Sequence, residues 1–589
     1  MFTRYYQEEL EFLRELGREF AREHPTLAPA LAATGSDPDV ERVLEGVSFL
    51  TGGIRQRLED DLPELTQTLL EMAWPHYLRP LPSATILEFL HPARPAITAS
   101  ERIPRGTTDV DSVPVDGTPC RFRTCYDVDL HPLRVSAARL ESGGRGSLQL
   151  GFEALGSVKL SELRLDPLRL HLHGDLALAS TLRLWLLRHV EAVELSAAAA
   201  GGRARRVLLP DPARRVRPVG FDDAEALFPW PRHAFSGYRL LQEYFTLPQK
   251  FLFVDVSGLD ALAALGAERE FTLTLHFRER PPEGLRVSPE NVRLHCTPIV
   301  NLMARDADPI RLDHRRSSYP VRPVGPEPDH YEVYSVDAAT GVTPGAAQRR
   351  DYPPFYSFRH GLLAGEARAV YFKTRRVAAV GKPNSDCVIS FVTAEERGAL
   401  PETETVSLEL TCTNRRLAEG LKPGDVSQHA ESSPQFAEFR SLLPVTASVL
   451  PPLGVGFHWR LISHLALNRV SLTSPETLRG ILSLYNFHAL YDRQAARASQ
   501  LRLEAITSVV ARPAERLFRG TPVRGIHTQI ELREDGFASE GELFLFAGVL
   551  EEFLALYATL NAFTQLTVRG GQRGEVYAWP PRMARQFIL

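Results

Sequence analysis

The sequence predicts an α+β multidomain protein. It has a helical N-terminal arm, a β-rich middle of several small sheets or sandwich-like units, and a helix-containing C-terminal domain. Three observations carry this reading. Apolar residues in the first 80 positions recur at three- and four-residue steps, short alternating runs broken by Pro and Gly follow to about residue 440, and helical spacing then returns. A chain of 589 residues has room for roughly three to five domains. The texture changes divide it into 1–80, 81–210, 211–440 and an α/β segment 441–589.

The arm opens with "MFTRYYQEELEFLRELGREFAREHP", where Phe2, Tyr6, Leu10, Leu13 and Phe20 form one stripe and Pro25 closes the helix. A second helix begins with Asp37 as N-cap and Pro38 at the first helical position. Its stripe is Val40, Val43, Leu44, Val47, Leu50, Ile54 and Leu58. A third, short helix follows Pro63 and stops at Trp74-Pro75. Residues 1–80 hold 15 acidic and 8 basic side chains, so the arm is acidic while the remainder is slightly positive. Such an arm suits docking onto a partner, and equally suits a solvated outer face.

In the middle, "CRFRTCYDVDLHPLRVSAARLE" reads as two strands around His131-Pro132, and "GSLQLGFEAL" as another, with "SGGRGS" as the hairpin between strands. "DLALASTLRLWLLRHV" reads as one amphipathic helix with Leu178, Leu182, Trp185, Leu186 and His189 on one side. "EFTLTLHFRE" reads as a strand. The C-terminal part contributes helices in "HWRLISHLALNRVSL", "PETLRGILSLYNFHAL" and "GELFLFAGVLEEFLALYATLNAFTQL". In the last, Phe546, Leu550, Phe553, Tyr557 and Leu560 keep a heptad-like spacing too short for a coiled coil.

Composition excludes several function classes. With 68 basic against 72 acidic residues the net charge is -4, which gives no pull toward nucleic acid or anionic membrane. Five scattered cysteines without paired spacing argue against a disulfide framework and fit a reducing cytosol. No signal-peptide core and no bilayer-length apolar run is found, so a cytoplasmic protein without a membrane span is expected.

Chemistry-bearing motifs are also missing. Cys120 and Cys125 are an odd step apart and point to opposite faces, and no CxxC or HExxH is found. His171 and His173 share a strand face and read as two surface histidines. His458 and His464 lie six apart on a helix and diverge. Gly381-Lys382 lacks the rest of a phosphate loop, and no GxSxG elbow occurs. Asp222-Asp223 reads as a helix cap, while "YFKTRRVA" and "RLDHRR" read as solvated basic surface. No catalytic residue, cofactor site or metal site is therefore nominated.

The densest aromatic stretch is "GYRLLQEYFTLPQKFLFVDVSGL". Tyr238, Leu241, Tyr244 and Phe245 follow helical steps to Pro248, and "KFLFVDV" alternates with both faces apolar, which marks a strand covered on both sides. Glu243 has Arg239 at i,i+4 as a neighbour. The stretch is read as scaffold.

The block "GFDDAEALFPWPRHAFSGYRLLQEYFTLPQKFLFVDVSGL" resembles the signature region of the TssF (VasA/ImpG) family of type VI secretion baseplate subunits. "YYQEELEFLRELGREFAREHP", "LHCTPIVNLMARDADPI", "LTCTNRRLAEGL", "WRLISHLALNRVSL" and "LYATLNAFTQL" with "WPPR" match the family in the same order. Met303 stands where the family carries an aromatic. The resemblance implies a structural, non-catalytic wedge component. Its implied partners are a second TssF copy, TssG, TssK and TssE, assembled around the VgrG spike as a platform for the Hcp tube and sheath. It also implies recruitment from the cytoplasm to an inner-membrane-anchored complex. Partner contacts are expected at Phe2, Tyr6, Leu10, Leu13, Phe20, Leu550, Phe553 and Tyr557, with a same-chain core as the alternative for the N-terminal stripe. A β-rich carbohydrate-active enzyme and an envelope-binding module are the rival classes.

Overall fold

A computed structural model describes residues 2–23, 38–59, 63–92, 98–141, 143–199, 204–231, 237–313, 315–325, 327–343, 349–357, 370–378, 385–393, 404–465, 474–518, 520–556 and 562–583. Helices α1 (Phe2–Glu23) and α2 (Pro38–Glu59) pack on each other as the arm. Helix α3 (Pro63–Ala73) leads into the body. The start of α2 at Pro38 agrees with the sequence, since a ring-fixed φ suits the first turn. Asp37 lies outside the described residues, as does the Gly381-Lys382 loop.

The body is organised by one six-stranded antiparallel sheet that separates two cores. Its order is Val426–His429, Asp109–Ser112, Arg121–Thr124, Cys296–Val300, Ala84–Leu90 and Glu438–Ser441. Along Ala84–Leu90, Ala84 and Ile86 enter the larger core, whereas Leu87 and Phe89 enter a second one. A period of two sends alternate side chains to opposite faces, and here both faces are buried. Cys120 and Cys125 fall in different cores, as their odd spacing requires.

A third core belongs to residues 303–412, where a five-stranded sheet built on Glu404–Thr413 and Glu332–Val342 faces a three-stranded one. Met303 is buried there. The larger core, by contrast, collects residues from 70–302, Tyr334 and residues from 449–577, across the boundaries at 80, 210 and 440. The "GSLQLGFEAL" strand, Ser147–Ala154, pairs with Leu133–Glu141 through the glycine hairpin, with Gly144 and Gly146 at φ 64° and 91°. "CRFRTCYDVDL" makes two short strands rather than one, Arg121–Thr124 and Val128–Leu130.

The C-terminal segment is α/β. Strands Thr521–Leu532 and Phe563–Gly570 run parallel, joined across helix Glu540–Leu556. The sequence reading carried that helix through "FTQL"; instead Phe563 begins a strand, where its alternating side chains are buried between neighbours. The helix has no single seam. It packs against helices Leu176–Leu184 and Gly237–Thr246 and against the sheet, so it is buried nearly all round. Leu550 and Phe553 are therefore interior, at 0% exposure, and the expectation that they face a partner is corrected. Tyr557 and Leu560 lie outside the described residues. Among the described residues, no helix is long and apolar enough to cross a membrane.

Candidate partner-docking face

The arm carries more apolar surface than its two helices cover. On α1, Tyr6, Leu10 and Leu13 are half-buried and Ala21 is buried, so most of the predicted stripe is turned toward the arm's own interior. Phe20 is not: with Phe12 and Leu16 it forms a second row at four-residue steps, 45%, 56% and 49% exposed. On α2 the inward side is made of Leu44, Ser48 and Gly52, while Val43, Val47, Phe49 and Leu50 face solvent. Ser48 and Thr51 return their hydroxyls to the Leu44 and Val47 carbonyls at 2.6 and 2.9 Å. An Arg14–Glu41 ion pair at 2.7 Å ties the helices together. The side chains of Phe2, Val40, Ile54 and Leu58 lie outside the described residues.

A third apolar row, Leu65, Leu69 and Met72, is exposed on α3. The other sides of α3 are fastened. Gln67 pairs its amide with both backbone groups of Arg376 at 3.0 Å, as a strand neighbour would. Glu64 and Glu71 bind Arg375 and Thr374, and Thr66 meets His458 at 3.3 Å. "YFKTRRVA" is thus the seat of α3, not solvated surface, and Arg376 is buried with its guanidinium on the Tyr334 carbonyl at 3.0 Å. Exposed rows at three- and four-residue steps on three helices are a surface that water covers at a free-energy penalty, at about 25 cal/mol per Å² of apolar area. The sequence signal for them was the Phe12, Leu16, Phe20 row, adjacent to the stripe that faces α2.

The aromatic stretch supports this face from behind. Tyr238, on helix Gly237–Thr246, stacks on Tyr485 at 4.6 Å and meets Trp74, at the end of α3, edge-on at 5.7 Å. Glu243, wholly buried, accepts from the Leu227 amide at 2.6 Å, bonds Lys250, and lies 3.8 Å from Arg239. The sequence named Arg239 as its neighbour; Lys250 arrives through the turn Pro248–Phe251. Burial pulls the Lys250 ammonium below its usual range while Glu243 opposes it. Asp222 and Asp223 do not cap a helix: a short 3-10 turn, Asp223–Glu225, follows with no side-chain cap.

The interior offers little chemistry. A cavity of about 300 Å³ is lined by Asp127, Asp255, Glu225 and His131. Arg169 clamps Asp255 at 2.8 and 2.9 Å and reaches Glu225 at 3.2 Å, and Arg102 holds Asp127 at 2.9 Å. A larger cavity of about 520 Å³ has Asp223 as its carboxylate, facing Arg105, Arg123 and Arg239. All five cysteines are free and buried, and burial pushes their thiols up, Cys120 to about 11 and Cys412 to about 12. His171 is not a surface residue. It packs on Phe253 with ring centres 4.4 Å apart, and burial holds its imidazole down at about 3. His458 is buried and bonded to the Pro452 carbonyl at 2.9 Å, and the side chain of His464 lies outside the described residues. Among the described residues no group of His, Cys, Asp or Glu stands where it could hold a metal ion.

The family model described as "Type VI secretion system, TssF" matches residues 1–586. The type VI secretion system component TssF1 of Pseudomonas aeruginosa is 33% identical over 614 residues, covering 98% of this chain and 97% of its own. A chain of a type VI TssK-TssF-TssG baseplate subcomplex, solved by cryo-electron microscopy, superposes with a TM-score of 0.77 at 33% identity, over 93% of this chain and 99% of its own. A chain of a type VI secretion baseplate complex gives 0.63 at 30% identity over 100% of both.

Proposed function

The chain belongs to the TssF family of type VI secretion, and from that premise we propose that it is a structural wedge of the baseplate which grips its neighbours through the arm. The observation that carries this is the set of exposed apolar rows on α1, α2 and α3, mounted on a body that seats α3 with buried polar pairs. On this reading Phe12, Leu16, Phe20, Val43, Val47 and Leu50 meet helices of a TssG-like subunit. A second copy of the chain completes the wedge. TssK- and TssE-like subunits join it, and six wedges surround the VgrG spike to seed the Hcp tube and sheath. The chain works without catalysis, in the cytoplasm, at a complex anchored in the inner membrane. Asp127, Glu225 and Asp255 of the smaller cavity are held by guanidinium groups and Asp223 of the larger one pairs with Arg239, which supports a structural over a hydrolytic role.

Co-expression with the TssG-like and TssK-like products of neighbouring reading frames, followed by native mass measurement, tests the proposal. Two copies of this chain with one TssG-like subunit are expected. A chain that stays monomeric beside both partners would falsify it.

A further inference from the structure

The β-hairpin Ile506–Phe518/Thr521–Leu532 reaches beyond its sheet. The third strand, Phe563–Gly570, begins opposite Gly525, so among the described residues 515–518 and 521–524 pair only with each other. The same strand face of this arm holds Arg512 and Arg516, both exposed and four residues apart. His527 sits directly across from Arg512 and bonds Thr567 at 2.9 Å. Arg516 donates to the neutral Gln565 at 3.2 Å. Glu515, the nearby acid, is on the other face with Arg524 at 3.2 Å. No ion pair to Arg512 or Arg516 occurs among the described residues, and burial together with these two guanidiniums holds His527 below its usual range. Two exposed cations on one strand face, with no acid beside them on that face, present a positive strip that an acidic partner can complete.

The counter-charge lies elsewhere on the same chain. Glu11, Glu15 and Glu19 run along α1 at four-residue steps, all exposed, beside the Phe12–Leu16–Phe20 row and not part of it. At 1.5 Å per residue, Glu11 and Glu19 are about 12 Å apart. At about 3.3 Å per residue, Arg512 and Arg516 are about 13 Å apart. Charge and spacing match.

We propose that the Arg512/Arg516 face of the hairpin in one copy lies along the Glu11–Glu15–Glu19 row of α1 in a second copy. This rests on the pairing of two copies proposed above and gives that pairing a contact. It is a head-to-tail contact between unlike patches, so it orients the two copies relative to each other. Being made of exposed charges, it weakens as salt rises.

The test uses full-length chains of two sizes, one tagged, co-expressed with the TssG-like subunit. Because all five native cysteines are buried, cysteines introduced by E11C or E19C in one copy and R516C in the other report the contact directly. A disulfide-linked heterodimer is expected from the mixed pair and from neither variant alone. R512E/R516E should remove the second copy from the complex mass, E11R/E15R/E19R should do the same, and the two sets combined in one chain should restore it. Thermal melting of each variant at the parental temperature confirms folding. Complexes that retain two copies through both charge reversals, or yield no cross-link, overturn this contact while leaving the wedge reading intact. A parental complex that holds one copy of the chain, or that lacks the TssG-like subunit, overturns both.

Discussion

Replacing Glu243 with Gln keeps the side-chain shape and removes one charge from a site with 0% exposure. In the parent, that carboxylate satisfies the Leu227 amide, the Lys250 ammonium and, at 3.8 Å, the Arg239 guanidinium. An amide supplies one acceptor oxygen and turns an NH₂ donor toward the remaining cations. Breaking a buried pair by removing one partner costs about 3–5 kcal/mol, because a charge is left without compensation. The Gly220 carbonyl, 2.7 Å from Lys250, offsets only part of this. The first thermal transition should fall by roughly 5–15 °C, at a few degrees per kcal/mol. Lys250 titrates below its usual range through burial, and the variant removes the group that opposes the shift. The unfolded chain then binds more protons than the folded one, so stability of Glu243→Gln should rise as pH goes from 7 to 9. Glu243→Gln combined with Lys250→Met should recover about half of the loss, since the stranded charge is gone. Melting curves of the four chains decide the matter. A drop below about 1 kcal/mol, or a double variant whose loss is the sum of the singles, refutes the reasoning.

Four further outcomes follow from the same structure. Leu16→Asp with Val47→Asp changes exposed positions, so the melting temperature should hold within about 2 °C while co-purification with the TssG-like subunit is lost in pull-down. His171 is held at about 3 when folded, so its contribution is fully present above about pH 6.5 and declines below it, by roughly 1 kcal/mol per pH unit; His171→Phe should flatten the stability–pH curve between 6.5 and 4.5. Arg183 is buried between the Phe221 and Phe544 rings, 5.8 Å from each, and burial lowers it to about 9, so Arg183→Met should leave stability unchanged or raise it by about 1–2 kcal/mol in denaturant titration. Gly541 touches the backbone of Ser180 and Thr181, and Gly541→Val should separate the two helices and lose about 2–3 kcal/mol in the same assay.

Much of this architecture is legible from spacing. Pro38 marks a helix start, the Cys120–Cys125 step assigns two faces, and the apolar alternation in "KFLFVDV" signals double coverage. What escapes is which of two apolar rows on one helix faces the chain itself. Tyr6, Leu10 and Leu13 look no different in sequence from Phe12 and Leu16, and only the small Ser48 and Gly52 across the arm decide between them. Leu550 and Phe553 mislead for the opposite reason. A helix apolar on most sides shows a seam wherever one is sought, yet its neighbours enclose it nearly all round. Lys250 as the partner of Glu243 is likewise invisible, since a turn of irregular backbone brings them together.

The larger core takes its first residues from before 302 and its last from after 449. During synthesis, the early part must therefore wait, its apolar faces open, until more than a hundred further residues have left the ribosome. The core of residues 303–412 can close in the meantime, because all of its buried apolar residues lie within that stretch. A message cut short before residue 449 would yield a finished insert hanging from an unfinished body, an exposed and aggregation-prone product. Completion of the body thus depends on segments that leave the ribosome only after residue 449.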